Sequence, residues 1–99
     1  MVTEVKWSPK AVEQYQGIVE YFVENISTDS AEKWLEIFWE KIEFVSTYPE
    51  TGRKAENNNL VQFVNFAKNY RLYYRVQSNS ILKVLAIFDT RQNPSKRPF

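Results

Sequence analysis

Two arginines are the side chains best suited to chemistry here, Arg71 at the start of one apolar run and Arg91 just past the end of another. Both lie in residues 69–94, NYRLYYRVQSNSILKVLAIFDTRQNP. Folding these runs into a hairpin brings both arginines to one end of a sheet. A guanidinium presents five donors in a rigid fork that matches phosphate and carboxylate oxygens, so the pair suits an anion or a nucleic acid. It holds negative charge well but accepts protons poorly. The chain has no histidine, which removes the commonest general base and the commonest metal ligand. Any catalysis must then use Arg, Lys, Tyr, Asp or Glu. There is no cysteine, hence no disulfide framework and no thiolate zinc site. No cofactor and no metal are expected.

The charge around these arginines is uneven. Residues 1–52 carry four lysines against ten acids, a net of −6, and residues 53–99 carry nine basic residues against two acids, a net of +7. The whole chain is +1. A basic C-terminal half points to a polyanion or an acidic partner. Lys54, Arg75, Lys83 and Arg97 are the further basic positions in that half nominated as contacts. For Arg75 and Lys83 the competing reading is a solvated face, and for Arg53-Lys54 an ordinary surface loop.

The elements that must position these residues follow from periodicity. Residues 1–99 are expected to form one domain, and the apolar fraction of 43% with 16% aromatic residues is enough for a packed core. The start of the chain has no long apolar run, so a soluble, cytoplasmic protein is expected. Residues 2–7 alternate weakly, as in a short strand. Ser8-Pro9 then reads as an N-cap followed by proline in the first helical turn. Ala11, Tyr15, Ile18, Phe22 and Ile26 form a helical stripe interrupted by Gly17. A second helix starts at Ser27 or at Asp29, where Glu32 completes a capping box. It carries Ala31, Trp34, Leu35, Phe38, Ile42, Val45 and Tyr48 on one face and ends before Pro49. Trp39 and Phe44 lie off that stripe.

Residues 50–59 read as a polar loop and residues 60–66 as a strand. Residues 70–77 alternate, with Tyr70, Leu72, Tyr74 and Val76 on one face and Arg71, Tyr73, Arg75 and Gln77 on the other. Residues 81–88 are nearly all apolar apart from Lys83, as in a central strand. A three-residue turn at 78–80 sets Gln77 opposite Ile81, Val76 opposite Leu82, Tyr74 opposite Val84 and Leu72 opposite Ala86. A two-residue turn would instead bury Lys83 beside Leu72 and Tyr74 at considerable cost. The tail, residues 92–99, is expected to be irregular. The fold class is α+β: strand, helix, helix, then three strands, an antiparallel sheet with a helical hairpin on one face.

This order, together with four phrases, resembles the RelE/ParE toxin superfamily over nearly the whole chain. The phrases are Trp-Ser-Pro-x-Ala at Trp7 to Ala11, Tyr-Pro-x-x-Gly-Arg at Tyr48 to Arg53, the pair Tyr70-Arg71 opening a strand, and the strand that ends shortly before Arg91. The resemblance implies the toxin of a type II toxin–antitoxin, or plasmid stabilization, module, held inactive by a cognate antitoxin. RelE-like members cut messenger RNA on the ribosome, whereas ParE-like members poison DNA gyrase and are not nucleases. The RelE-like nuclease set implies lysines at the positions of Gln62 and Val64, arginines at Arg71 and Arg91, and a tyrosine where this chain has Arg97. Only the two arginines are present, as catalytic candidates if the chain is a nuclease, and the set that relies on a histidine near the C-terminus is excluded. RNA cleavage needs a proton acceptor and a donor as well as phosphate contacts; Tyr70, Tyr73 and Lys54 are the available substitutes. The expectation is therefore a ParE-like toxin that binds a macromolecular target such as gyrase. A RelE-like nuclease with a reworked site is the second reading, and a non-toxic interaction module the third.

Overall fold

In the computed structural model, which describes residues 2–78 and 80–99, strand β1 (Glu4–Trp7) leads into helices α1 (Pro9–Asn25) and α2 (Thr28–Thr47). Strands β2 (Arg53–Ala55), β3 (Asn58–Phe66), β4 (Tyr70–Ser78) and β5 (Ile81–Asp89) follow. The strands form one sheet in the order β1-β5-β4-β3-β2. The α+β class and the element order match the expectation. Two details differ from it. Residues 50–59 are not all loop, because Arg53 to Ala55 pair with β3. The sheet is also mixed rather than wholly antiparallel, since β1 runs parallel to β5.

Local chemistry explains the helix boundaries. The Ser8 hydroxyl accepts from the Ala11 amide at 3.1 Å and itself donates to the Leu85 carbonyl, so the cap of α1 is also tied to β5. Ser27, not Asp29, caps α2, accepting from the Ser30 amide at 3.0 Å. Both hydroxyls satisfy donors that have no partner within the helix. The helices cover one sheet face. Trp34, Phe38, Ile42 and Val45 of α2 meet Leu72, Tyr74, Leu82 and Val84 in the main core. Phe38 is fully buried, and its ring lies 5.2 to 5.6 Å from those of Trp7, Tyr15, Trp34, Trp39 and Phe66. Trp39 caps this cluster, donating from Nε1 to the Tyr15 hydroxyl at 3.1 Å, yet stays 46% exposed. Ile26 and Tyr48, expected on apolar stripes, are helix C-caps and are exposed.

The register of β4 on β5 is partly as expected. Val76 pairs with Leu82 and Tyr74 with Val84, but Tyr73 pairs with Ala86 and Leu72 with Ile87. Leu85 is an extra residue on β5, a bulge that reverses which side chains beyond it face the helices. Ile87 therefore joins the main core, and Ala86 joins a second cluster on the opposite face with Ala55, Val61, Phe63, Tyr73 and Phe88. At the turn, Ser78 rather than Gln77 pairs with Ile81. The expected turn includes Asn79, which lies outside the described residues. The tail is more ordered than expected. It forms a 3-10 turn over Pro94–Lys96 and lays the Phe99 ring 5.5 Å from Tyr73.

The phrase Tyr-Pro-x-x-Gly-Arg is a structural latch. The Tyr74 hydroxyl donates to the Pro49 carbonyl at 2.7 Å and accepts from the Gly52 amide at 3.0 Å. Gln62 Nε2 donates to the carbonyls of both Pro49 and Gly52. A Cβ on Gly52 would collide with the Tyr74 hydroxyl, which accounts for the glycine. Tyr74→Phe leaves the Gly52 amide without its acceptor and the Pro49 carbonyl with Gln62 as its remaining donor, a loss of about 1–3 kcal/mol. Thermal unfolding should shift down by about 4–8 °C for each kcal/mol lost.

Candidate functional site

The face of the sheet away from the helices carries most of the nominated basic residues. Alternation fixes their side. Val5 and Trp7 of β1, Leu82 and Val84 of β5, and Tyr74 of β4 all pack toward the helices. Lys6, Lys83 and Arg75 between them therefore point the other way. The register also aligns them, Lys6 opposite Lys83 and Lys83 opposite Arg75. Three cations thus form a row across β1, β5 and β4. Lys6 has a loose, exposed contact with Glu4 at 3.8 Å. Lys83 and Arg75 have no carboxylate within ion-pair distance among the described residues. Like charges on directly opposed strand positions destabilise a sheet, and an anionic partner would relieve that cost.

Arg71 stands on the same face, in a different setting. Its guanidinium lies 3.9 Å from the centre of the Phe63 ring. Nη1 donates to Glu56 Oε2 at 3.2 Å and to the Tyr73 hydroxyl at 3.2 Å. Arg97 Nη1 donates to the same Glu56 oxygen at 2.9 Å. One carboxylate from the β2–β3 turn thus clamps Arg71 and the C-terminal tail together. Burial works against the charge on Arg71, but the bonds to Tyr73 and Glu56 outweigh it and raise the pKa. A hydrogen bond from the backbone amide of Glu56 and the bond from Arg71 hold the Glu56 carboxyl below its ordinary range.

Arg91 sits at the same end of the sheet but on the helix side. It lines a cleft with Lys10, Gln14 and Tyr21 of α1. Its Nε and Nη2 donate to the two Asp89 oxygens at 3.0 and 2.8 Å, a bidentate pair that raises the Arg91 pKa and lowers that of Asp89. The hairpin therefore brings Arg71 and Arg91 to one end but not to one site, because the sheet lies between them.

The other positions also have definite places. Lys54 is exposed on β2 at the far edge, paired with Gln62 on the helix side, so it does not join Arg75 and Lys83. Gln62 is occupied with the Pro49 and Gly52 carbonyls, and Val64 packs on the main core. The two positions where a nuclease resemblance implies lysines therefore face away from Arg71. Burial, with the Asp89 charge beside it, raises the pKa of the Tyr70 hydroxyl, which makes it a poor proton acceptor near neutral pH. Sequence reasoning missed Lys6 and Glu56. The first needs the parallel pairing of β1 with β5, a contact between opposite ends of the chain, and the second needs the fold of the β2–β3 turn.

A family model described as the ParE toxin of type II toxin–antitoxin systems, parDE, matches residues 5–94. The chain belongs to the ParE toxin family. It is a toxin of the type II toxin–antitoxin class, within the RelE/ParE superfamily. The ParE-family chain also superimposes on a solved chain of the chromosomal ParDE toxin–antitoxin system from P. aeruginosa. The TM-score is 0.73 at 17% identity, over 89% of this chain and 96% of that one. At that identity the likeness speaks for the fold alone. No curated protein sequence matches the chain. Among the described residues, no helix is long and apolar enough to cross a membrane.

Proposed function

We propose that this ParE-family toxin acts by binding and obstructing a macromolecular target such as DNA gyrase, in the cytoplasm, and that a cognate antitoxin neutralises it. The observation that carries the reading is the division of labour among the cations. Arg91 is paired with Asp89, and Arg71 and Arg97 share the Glu56 carboxylate, so each of the three has an internal ion-pair partner. Lys83 and Arg75 have no such partner among the described residues and stand in a row with Lys6 on an open sheet face. A row of this kind attracts and orients an anionic surface. An antitoxin with an acidic segment laid over the same face would block the contact by charge complementarity.

A gyrase poison and a ribosome-dependent nuclease arrest different syntheses. Expressing the chain without antitoxin and pulse-labelling the cells should show DNA synthesis falling first, with protein synthesis continuing through the early interval. Early collapse of protein synthesis with DNA synthesis intact would favour the nuclease instead. Normal growth on expression would leave only an interaction module.

A further inference from the structure

A second cationic feature lies on the other side of the sheet. A cleft of about 530 Å³ opens between α1, the end of the β4–β5 hairpin and the C-terminal turn. Lys10 and Lys96 line it, and neither has a carboxylate within ion-pair distance among the described residues. Arg91 lines it too, held from one side by the bidentate bond of its Nε and Nη2 to Asp89. Asp89 is the only acid among the lining residues, so three cations face one carboxylate and the cleft carries two excess positive charges.

Its wall is built to stay open. Gly17, mid-way along α1, lines the cleft, and a Cβ there would meet nothing within 4 Å. A helix-interior glycine weakens the helix, and packing does not call for it here. Tyr21, one turn further along α1, lines the same cleft with its side chain half exposed.

We propose that this cleft binds a nucleotide by a terminal phosphate monoester, held by Lys10, Arg91 and Lys96, with the base against the Tyr21 ring. Charge selects the monoester. It carries about −1.5 to −2 at neutral pH, matching the two excess cations, whereas a carboxylate or an internal phosphodiester carries one negative charge. An exposed aromatic ring accepts the π-face of any base. The volume lies in the range of small-ligand sites. The same group could come from a free mononucleotide or from the 5′ end of a strand.

The test is calorimetric titration of the full-length chain with AMP, adenosine, and short oligonucleotides bearing or lacking a 5′ phosphate. AMP should bind saturably, and adenosine should bind about tenfold or more weakly. The Lys10→Gln/Lys96→Gln variant should lose about tenfold in AMP affinity. Gly17→Leu should fill the cleft and abolish binding while circular dichroism stays native, separating a blocked site from an unfolded one. A phosphorylated oligonucleotide binding more tightly than AMP identifies a strand end as the ligand, and one binding no more tightly identifies the free nucleotide. No saturable AMP binding at millimolar concentration would overturn the proposal. So would equal affinity for AMP and adenosine, or undiminished AMP binding in folded Gly17→Leu.

Discussion

Phe38→Ala should remove a large share of the stability of this chain. Phe38 is fully buried and touches five other aromatic rings drawn from β1, α1, α2 and β3. Truncating such a residue costs about 3–5 kcal/mol, from lost burial and from the cavity left behind. Domains of this size are stable by only about 5–15 kcal/mol. The cavity cannot close easily, because its walls are large rings held by separate elements. In urea the unfolding midpoint should fall steeply, with the slope unchanged. Phe44→Ala is the control: Phe44 is 44% exposed on the same helix, with its ring beside Tyr48 and under the Lys41 ammonium, so it should cost far less. A midpoint for Phe38→Ala close to the native one would mean that the aromatic cluster is not the centre of the core.

Lys83→Glu should abolish growth arrest while leaving the fold as stable as before, or slightly more so. Lys83 sits between Lys6 and Arg75. Replacing the central cation by a carboxylate turns two repulsive cross-strand neighbours into two attractive ones, each worth about 0.2–1 kcal/mol. Toward an anionic partner the same change inverts the middle of the row. Losing one partner of a buried interfacial charge pair costs about 2–5 kcal/mol, a factor of roughly thirty to several thousand in affinity. The expected signature is thus a split, with an unchanged or raised Tm and lost toxicity on expression without antitoxin. Lys83→Glu that remains fully toxic would remove the open-face row from the binding surface. Lys54→Glu is the matched control. It alters the far edge and the other side of the sheet, and it should weaken arrest much less.

The helices were legible because their signals are local. Ser8-Pro9 and the four-and-three spacing of apolar residues place α1 without reference to anything distant. The β4–β5 hairpin was legible up to its irregularities. The pairs Tyr74–Val84 and Val76–Leu82 follow from alternation, but the bulge at Leu85 does not, because nothing in an apolar run of β5 marks which residue is skipped. That one residue decides that Ile87 rather than Ala86 faces the helices. The β3–β4 turn gave no signal either. Ala67 and Lys68 both adopt positive φ, a conformation usually left to glycine or asparagine.

The candidate site was half legible. Arg75 and Lys83 could be placed on one face from the sequence. Lys6 could not, because its place in the row depends on a parallel pairing across most of the chain. Arg71 and Arg91 looked like a unit in the sequence because the hairpin joins their positions. In the folded chain they serve separate ion pairs on opposite faces. Nearest-neighbour alternation assigns a side only inside a strand, and Arg91 lies two residues beyond the end of β5.

Inhibition of DNA gyrase by the purified chain tests the central claim most directly. Supercoiling of relaxed plasmid should be inhibited as the chain is added, with cleaved plasmid accumulating, and Lys83→Glu should leave the reaction unaffected. Uninhibited supercoiling, with the same preparation cutting messenger RNA on ribosomes, would contradict the account and return Arg71 and Arg91 to the role of catalytic groups.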